Sequence, residues 1–257
     1  MIDLLESCVR GCGRPVSRKE IQDAVQDSIA CAWRPNGNAG PAPSAAPTWP
    51  SVNQEKRSAI TRGYGGLADL WEESKPRVED SEGHTEMIID QLFPGNPLLC
   101  CGKSNSVFNT KPRNEWRGKL SMLALIVPSP MSAITGMTQD GKQSEHALSN
   151  TGARRFLVCE FDSGTEDEQA ALLRHLGESV PLVCVAHSGG KSLHGWFFVA
   201  DVPEDEVRCF FNYAVSLGAD RRLWTRSQFT RMPDGLRDNG RRQTVFFCNF
   251  TALEVAR

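Results

Sequence analysis

Residues 155–220 read RFLVCEFDSGTEDEQAALLRHLGESVPLVCVAHSGGKSLHGWFFVADVPEDEVRCFFNYAVSLGAD, and residues 241–250 read RRQTVFFCNF. Four apolar runs, RFLVCEFD, PLVCVAHSG, LHGWFFVA and RRQTVFFCNF, have strand length and composition. Two helical segments separate them. TEDEQAALLRHLG opens on Thr165 with Glu168 three residues on, a capping box, and closes on Gly177. PEDEVRCFFNYAVSLGA carries proline in its first turn. The order strand–helix–strand–strand–helix–strand predicts an α+β fold. Its sheet is antiparallel or mixed, with helices on one face, as in an RRM-like or ferredoxin-like core. No GxGxxG and no GxxxxGK[ST] occurs, so Rossmann and P-loop nucleotide sites lack their fingerprint.

Upstream the signals are weaker. LLCCG near residue 100 reads as a short strand, and LSMLALIV at 120–127 as strand or helix, ended by prolines. Residues 132–155 read as a long Gly/Ser/Thr-rich loop. MIIDQLF at 87–93 reads as a helix packed on the main domain. Residues 34–50, RPNGNAGPAPSAAPTWP, form a flexible linker poor in charge and rich in proline. It sets apart an N-terminal helical element, residues 1–33, with Ser17 and Glu20 as a capping box. The main domain is then 51–257, with its core at about 95–250.

The 257 residues are 40% hydrophobic and 23% charged, with a formal net charge of −2. Enough apolar material exists for one large domain. A protein that grips nucleic acid by phosphate contacts alone carries a basic excess, and this chain does not. Any such role needs a local patch or a bound cation. Arg221, Arg222, Arg226, Arg231, Arg237, Arg241 and Arg242 supply a patch within one short span. The nine cysteines are odd in number, and no apolar signal segment or membrane-length run is present. The chain reads as cytoplasmic, without a membrane partner. Cys8 and Cys12 have ligand spacing, but no second pair follows to complete a zinc site.

Glu160 and Asp162 lie two apart, so both carboxylates leave one face of the strand while Cys159 and Phe161 enter the opposite layer. Adjacent carboxylates repel, and a divalent ion such as magnesium or manganese relieves that repulsion. Asp162 alone would be explained as the start of a turn; Glu160 within LVCEFD would not. His194, Trp196 and Phe198 share a face of one strand beside the SGGK turn, where Ser188 and Lys191 add a hydroxyl and a charge. Glycine-turn amides cradle phosphate, so His194 is read as a triphosphate contact or as orienting a metal-bound oxygen. The plainer alternative is a half-buried histidine after a hairpin. His187 is a lesser candidate. Asp220 follows a helix and is either a third metal ligand or an ordinary helix-end aspartate. Arg226 and Arg231 have the fork that suits phosphate, one for the triphosphate and one for a template. MPDGLRDNGRRQ reads as a mobile flap whose Asp234 and Asp238 form turns.

These motifs resemble the archaeo-eukaryotic primase superfamily, in particular primase–polymerase domains of plasmids, phages and other mobile elements. LVCEFD resembles its first motif, SGGKSLH its second, and Asp220 the acidic residue of its third. Thirty-two residues separate Asp162 from His194, and 26 separate His194 from Asp220. Arg231 matches the arginine after the third motif. The resemblance spans about residues 95–250. It implies an RRM-like catalytic core and a magnesium- or manganese-dependent DNA primase or polymerase. Such an enzyme uses two divalent cations to join nucleoside triphosphates on single-stranded DNA, with Glu160, Asp162 and Asp220 as the catalytic ligands of both. Ser188, Lys191, His194, Arg226 and Arg231 would hold the nucleotide. The chain carries no helicase ATPase motif, which many mobile-element relatives fuse to this domain, so a separate helicase partner and a truncated, repurposed protein both stay open. Two rival classes remain open: a catalytically silent relative that binds nucleotide or nucleic acid, and a metal-dependent nuclease or replication initiator. HSGGKSLH has no adjacent histidine pair. Tyr64 and Tyr213 are the only tyrosines, and Tyr213 sits in an apolar helix, which counts against an initiator.

Overall fold

The computed structural model describes residues 48–78 and 83–253, together with Lys19. The backbone divides into two compact units, Met1–Thr48 and Trp49–Arg257. The expected N-terminal helix with its Ser17–Glu20 box, the Cys8–Cys12 pair and nearly all of the Pro/Ala linker lie outside the described residues. The second unit is α+β, with five α-helices among the described residues and antiparallel sheets.

The helices are α1 (Gln54–Gly63), α2 (Leu67–Glu73), α3 (Thr85–Leu92), α4 (Glu166–Gly177) and α5 (Glu204–Ser216). One sheet runs in the order β2 (Val107–Pro112), β1 (Leu98–Ser104), β3 (Leu125–Ile126), β9 (Thr230–Arg231). The other runs β10 (Val245–Cys248), β7 (Leu182–His187), β8 (Leu193–Phe198), β6 (Phe156–Glu160). All of these strand pairs are antiparallel. In the second sheet β6 and β7 flank β8, and the closing strand β10 lies beside β7.

Strand alternation assigns the faces of this second sheet. Phe156 pairs with Phe198, Val158 with Trp196 and Glu160 with His194, so these six side chains share a face. The rings of Phe93, Phe156 and Trp196 meet edge to face on that side. The opposite face carries Leu157, Cys159, Gly195 and Phe197. There α4 comes so close that a Cβ at Gly195 would lie 2.5 Å from Leu173 Cδ2. Phe210 of α5 packs edge-on against Phe197 on the same face. The apolar stripe Leu172, Leu173 and Leu176 of α4 is therefore fully buried. The predicted capping box forms: the Thr165 hydroxyl accepts from the Glu168 amide, and the Glu168 carboxylate accepts from the Thr165 amide.

Several readings upstream are corrected. Residues 120–127 are neither one strand nor one helix. They form a 3-10 turn, Leu120–Met122, followed by the two-residue β3. Residues 132–155 are not a bare loop, because a small hairpin pairs β4 (Gly136–Met137) with β5 (Gln143–Ser144). The fully buried Asn150 ties this segment together, its amide donating to the carbonyls of Ala133 and Glu145. The segment after Asp220 crosses to the first sheet as β9 before returning to the second as β10. No periodicity marks a two-residue strand, so this crossing was not legible.

Candidate active site

The end of β6 and the segment after α5 meet in a short bridge, Phe161 opposite Ala219, and the Asp220 amide donates to the Glu160 carbonyl at 2.9 Å. This pairing brings Glu160, Asp162 and Asp220 to one place. Arg57 of α1, itself buried, braces it. Its guanidinium donates to the Leu217 carbonyl at 2.8 Å and to the Ser163 carbonyl at 2.6 Å. One side chain thus holds the turn after Asp162 against the end of the helix before Asp220. From α4, the buried Gln169 amide donates to the Gly164 and Lys191 carbonyls, and its oxygen accepts from the Leu193 amide. The β7–β8 hairpin is anchored in that way.

A cleft of about 480 Å³ opens where these parts meet the first sheet. Ligand sites of this size are common. Glu160, Asp162, His194, Asp220 and Arg231, all singled out in the sequence, line it. So do Lys103, Arg222 and Arg237, and Phe229 and Thr230. Ser188, Lys191 and Arg226 do not. Ser188 is buried behind Ser192, whose hydroxyl lies 3.1 Å from its own. Lys191 points its amine at Asp162, 3.7 Å from Oδ1. Gly189, at φ +68, is needed for close packing rather than for an open phosphate cradle: a Cβ there would meet Arg237 Cδ and the Arg242 carbonyl at 3.1 Å. His187 lies 3.2 Å from Glu166 and outside the cleft. The residues 232–243 form a tied hairpin rather than an open flap, with buried Gln243 donating to the carbonyls of Ala124 and Met232. Asp234 does take a left-handed turn conformation, at φ +59, but it is buried and also accepts from the His84 amide at 2.5 Å.

His194 is buried. Its Nδ1 is 3.1 Å from the Thr230 hydroxyl on β9, which joins the two sheets across the cleft. Its Nε2 stands 3.4 Å from Glu160 Oε1, an ion contact too poorly aligned for a hydrogen bond. The Ser192 hydroxyl donates to the same Glu160 oxygen at 2.7 Å. Burial pushes the Glu160 carboxyl up. The contact with His194 and its charge, the Ser192 hydroxyl and the Arg231 charge together outweigh burial and hold it at about 2. Arg231 is half-buried, and desolvation, with the charge of Arg237 second, lowers its pKa. A partly desolvated guanidinium of this kind favours an anionic partner.

Asp220 caps the 3-10 turn Arg221–Trp224, accepting from the Arg222 amide at 3.0 Å. The Arg222 guanidinium also pairs with it at 2.7 Å and reaches to 3.8 Å from Asp162. Hard carboxylate oxygens suit magnesium or manganese. Asp162 and Asp220 share one cation, the Arg222 guanidinium, and their oxygens are of the type such ions take. Among the described residues no group of three or more His, Cys, Asp or Glu forms a ready ligand cage. Magnesium does not need one, since it is commonly held by one or two carboxylates with water and substrate oxygens completing its shell.

Ser192, Thr230, Arg57 and Lys103 escaped the sequence reading, whereas Arg237 belonged to the arginine patch it singled out. Ser192 stood in the quoted SGGKSLH, and strand parity places it beside the end of β8, but nothing local favours it over Ser188. Arg57 and Lys103 carry no local signal at all. No family model, no curated protein and no solved structure matches this chain.

Proposed function

We propose that this chain is a template-dependent nucleotidyltransferase, a DNA primase or polymerase that joins nucleoside triphosphates on single-stranded DNA with magnesium or manganese. The observation that carries this reading is the cleft, which Glu160 and Asp162 from the end of β6 and Asp220 from the segment after α5 line together with His194 and Arg231. A nuclease would also use acidic ligands. The basic side of the cleft, with Lys103, Arg231 and Arg237, favours a substrate bearing several phosphates. The likeness of the acidic, SGGKSLH and Asp220 motifs to the archaeo-eukaryotic primase superfamily points the same way. The β–α–β–β–α–β order and the split arrangement of β6, β8 and β7 support an RRM-like or ferredoxin-like core. In this variant the closing strand pairs with the second strand of the set.

Asp162 and Asp220, with Glu160 beside them, would hold the metal. Bound magnesium or manganese supplies charge neutralisation for the attacking and leaving oxygens. Ser192 and His194 hold Glu160 ionised and aimed. Arg231 and Arg237 hold the polyphosphate, and Lys103 meets it from the first sheet. Lys191 stays outside the cleft and balances Asp162. A separate helicase would open duplex DNA for such an enzyme.

One observation favours a second reading, a catalytically silent relative that binds nucleotide or nucleic acid: the Asp220 carboxylate is already occupied by Arg222. Incorporation of labelled nucleotides on single-stranded DNA, with and without primer, separates the two. The expected result is product that requires manganese or magnesium and falls at least ~100-fold in Asp162→Asn, the scale on which charge stabilisation acts. Asp162 is half-exposed, so the variant keeps its fold. Absence of product from the folded wild-type protein, with retained DNA binding, would establish the silent reading.

A further inference from the structure

We propose that the Arg222 guanidinium is an exchangeable cation of this site, which neutralises Asp220 and Asp162 and gives way when a divalent ion binds. The inference rests on the metal-dependent reading above and concerns how the metal gains entry.

Both oxygens of Asp220 are engaged by this one residue. Arg222 Nε lies 3.1 Å from Oδ1 and 2.8 Å from Oδ2, and Nη2 lies 2.7 Å from Oδ2. The same Nη2 is 3.8 Å from Asp162 Oδ2. One positive group therefore spans two carboxylates that arrive on different segments. A divalent ion held by these carboxylates would compete with the guanidinium for the Asp220 oxygens that Nε and Nη2 now engage.

The asymmetry of exposure makes the exchange possible. Asp220 is 14% exposed and backed by its bond to the Glu160 carbonyl through the backbone, whereas the Arg222 side chain is 76% exposed. The carboxylate stays and the guanidinium is free to swing out. The Arg222 backbone amide continues to hold Asp220 Oδ1 at 3.0 Å, so Asp220 remains aimed after the side chain leaves. With the guanidinium side of the pair open to solvent, such a pair typically shifts an equilibrium by up to about fivefold, which is a small barrier to a doubly charged competitor. Nearby, Lys191 contacts Asp162 through the other oxygen, Oδ1, and does not block the shared position.

The experiment is manganese binding to the full-length protein without nucleotide, by paramagnetic resonance of the free ion and by calorimetry. Arg222→Gln should bind Mn2+ about fivefold more tightly than wild type at low salt. The gap should close at high salt, because an exposed pair is screened. Arg222→Lys, which keeps the charge without the fork, should fall between them. The manganese concentration for half-maximal incorporation should drop by the same factor in Arg222→Gln. Unchanged or weaker Mn2+ binding in Arg222→Gln, while Asp162→Asn weakens it in the control, would overturn this proposal and leave the metal reading intact. Mn2+ binding that is absent in wild type, or indifferent to Asp162→Asn, would overturn both.

Discussion

Glu160 is held ionised by a buried histidine, a serine hydroxyl and an arginine, against the upward push of its own burial. Its folded pKa of about 2 lies below the ordinary glutamate value of about 4.3. A depressed carboxylate adds stability above the unfolded value and loses it as pH falls through the folded one. The contribution is therefore full at neutral pH and is lost as pH falls from about 4.3 through the folded value of about 2. Glu160→Gln should be less stable than wild type at pH 6 in urea unfolding, and the two curves should converge near pH 2. A gap that persists undiminished at pH 2 would assign the loss to packing instead. At this residue scale the strand that ends on Glu160 was legible; Asp162 lies beyond the end of β6, so alternation along the strand does not by itself fix its direction. Ser192 was not legible, since the choice between two serines of one hairpin depends on which reaches Glu160 across the sheet.

The elements that aim the carboxylates are α1 and α4, neither of which carries a cleft residue. Arg57 is the clearest case: its two hydrogen bonds join carbonyls on either side of the site. Arg57→Ala leaves two acceptors without their donor and should cost about 2–3 kcal/mol, as hydrogen bonds from charged donors do. Thermal unfolding measures this, and a loss below ~0.5 kcal/mol would mean that water replaces the guanidinium. The helices themselves were readable. Thr165, Glu168 and the apolar stripe of α4 act within one turn of one another, so local sequence carries the message. The β1–β2 hairpin was only half read. VFNTKP, which pairs with LLCCGKS, has no alternation strong enough to declare a strand. The anchoring of the hairpin at 232–243 was hidden for a related reason. Its turn residues were visible, but the carbonyls that anchor Gln243 belong partly to Ala124, far away in sequence.

At the scale of the whole molecule, the second unit has its own core. One large apolar cluster joins the helices and the second sheet and reaches Leu99, Cys101 and Ile126 of the first sheet, and a smaller one packs on the first sheet. Trp49 begins this unit and is packed edge-on against Phe211 and Trp224, with Arg208 over its ring. A chain of residues 48–257 should therefore fold by itself and unfold cooperatively, within a few degrees of the full chain in calorimetry. Loss of a cooperative transition would show that residues 1–47 complete the core. No helix among the described residues is long and apolar enough to cross a membrane.

The sequence by itself determined the main strands and helices from residue 155 onward apart from β9, the shared face of His194, Trp196 and Phe198, and the Thr165–Glu168 cap. Each follows from periodicity or from groups within a few residues of one another. Only the tertiary structure decided that the Asp220 segment pairs with the end of β6. It also decided that β10 joins the β7 edge, and that Thr230 and Arg231 cross to the other sheet to close the cleft. Those choices depend on contacts such as Arg57 with Ser163, 106 residues apart. Which distant partners meet is settled by the simultaneous burial of many side chains, a property that no short window of sequence contains.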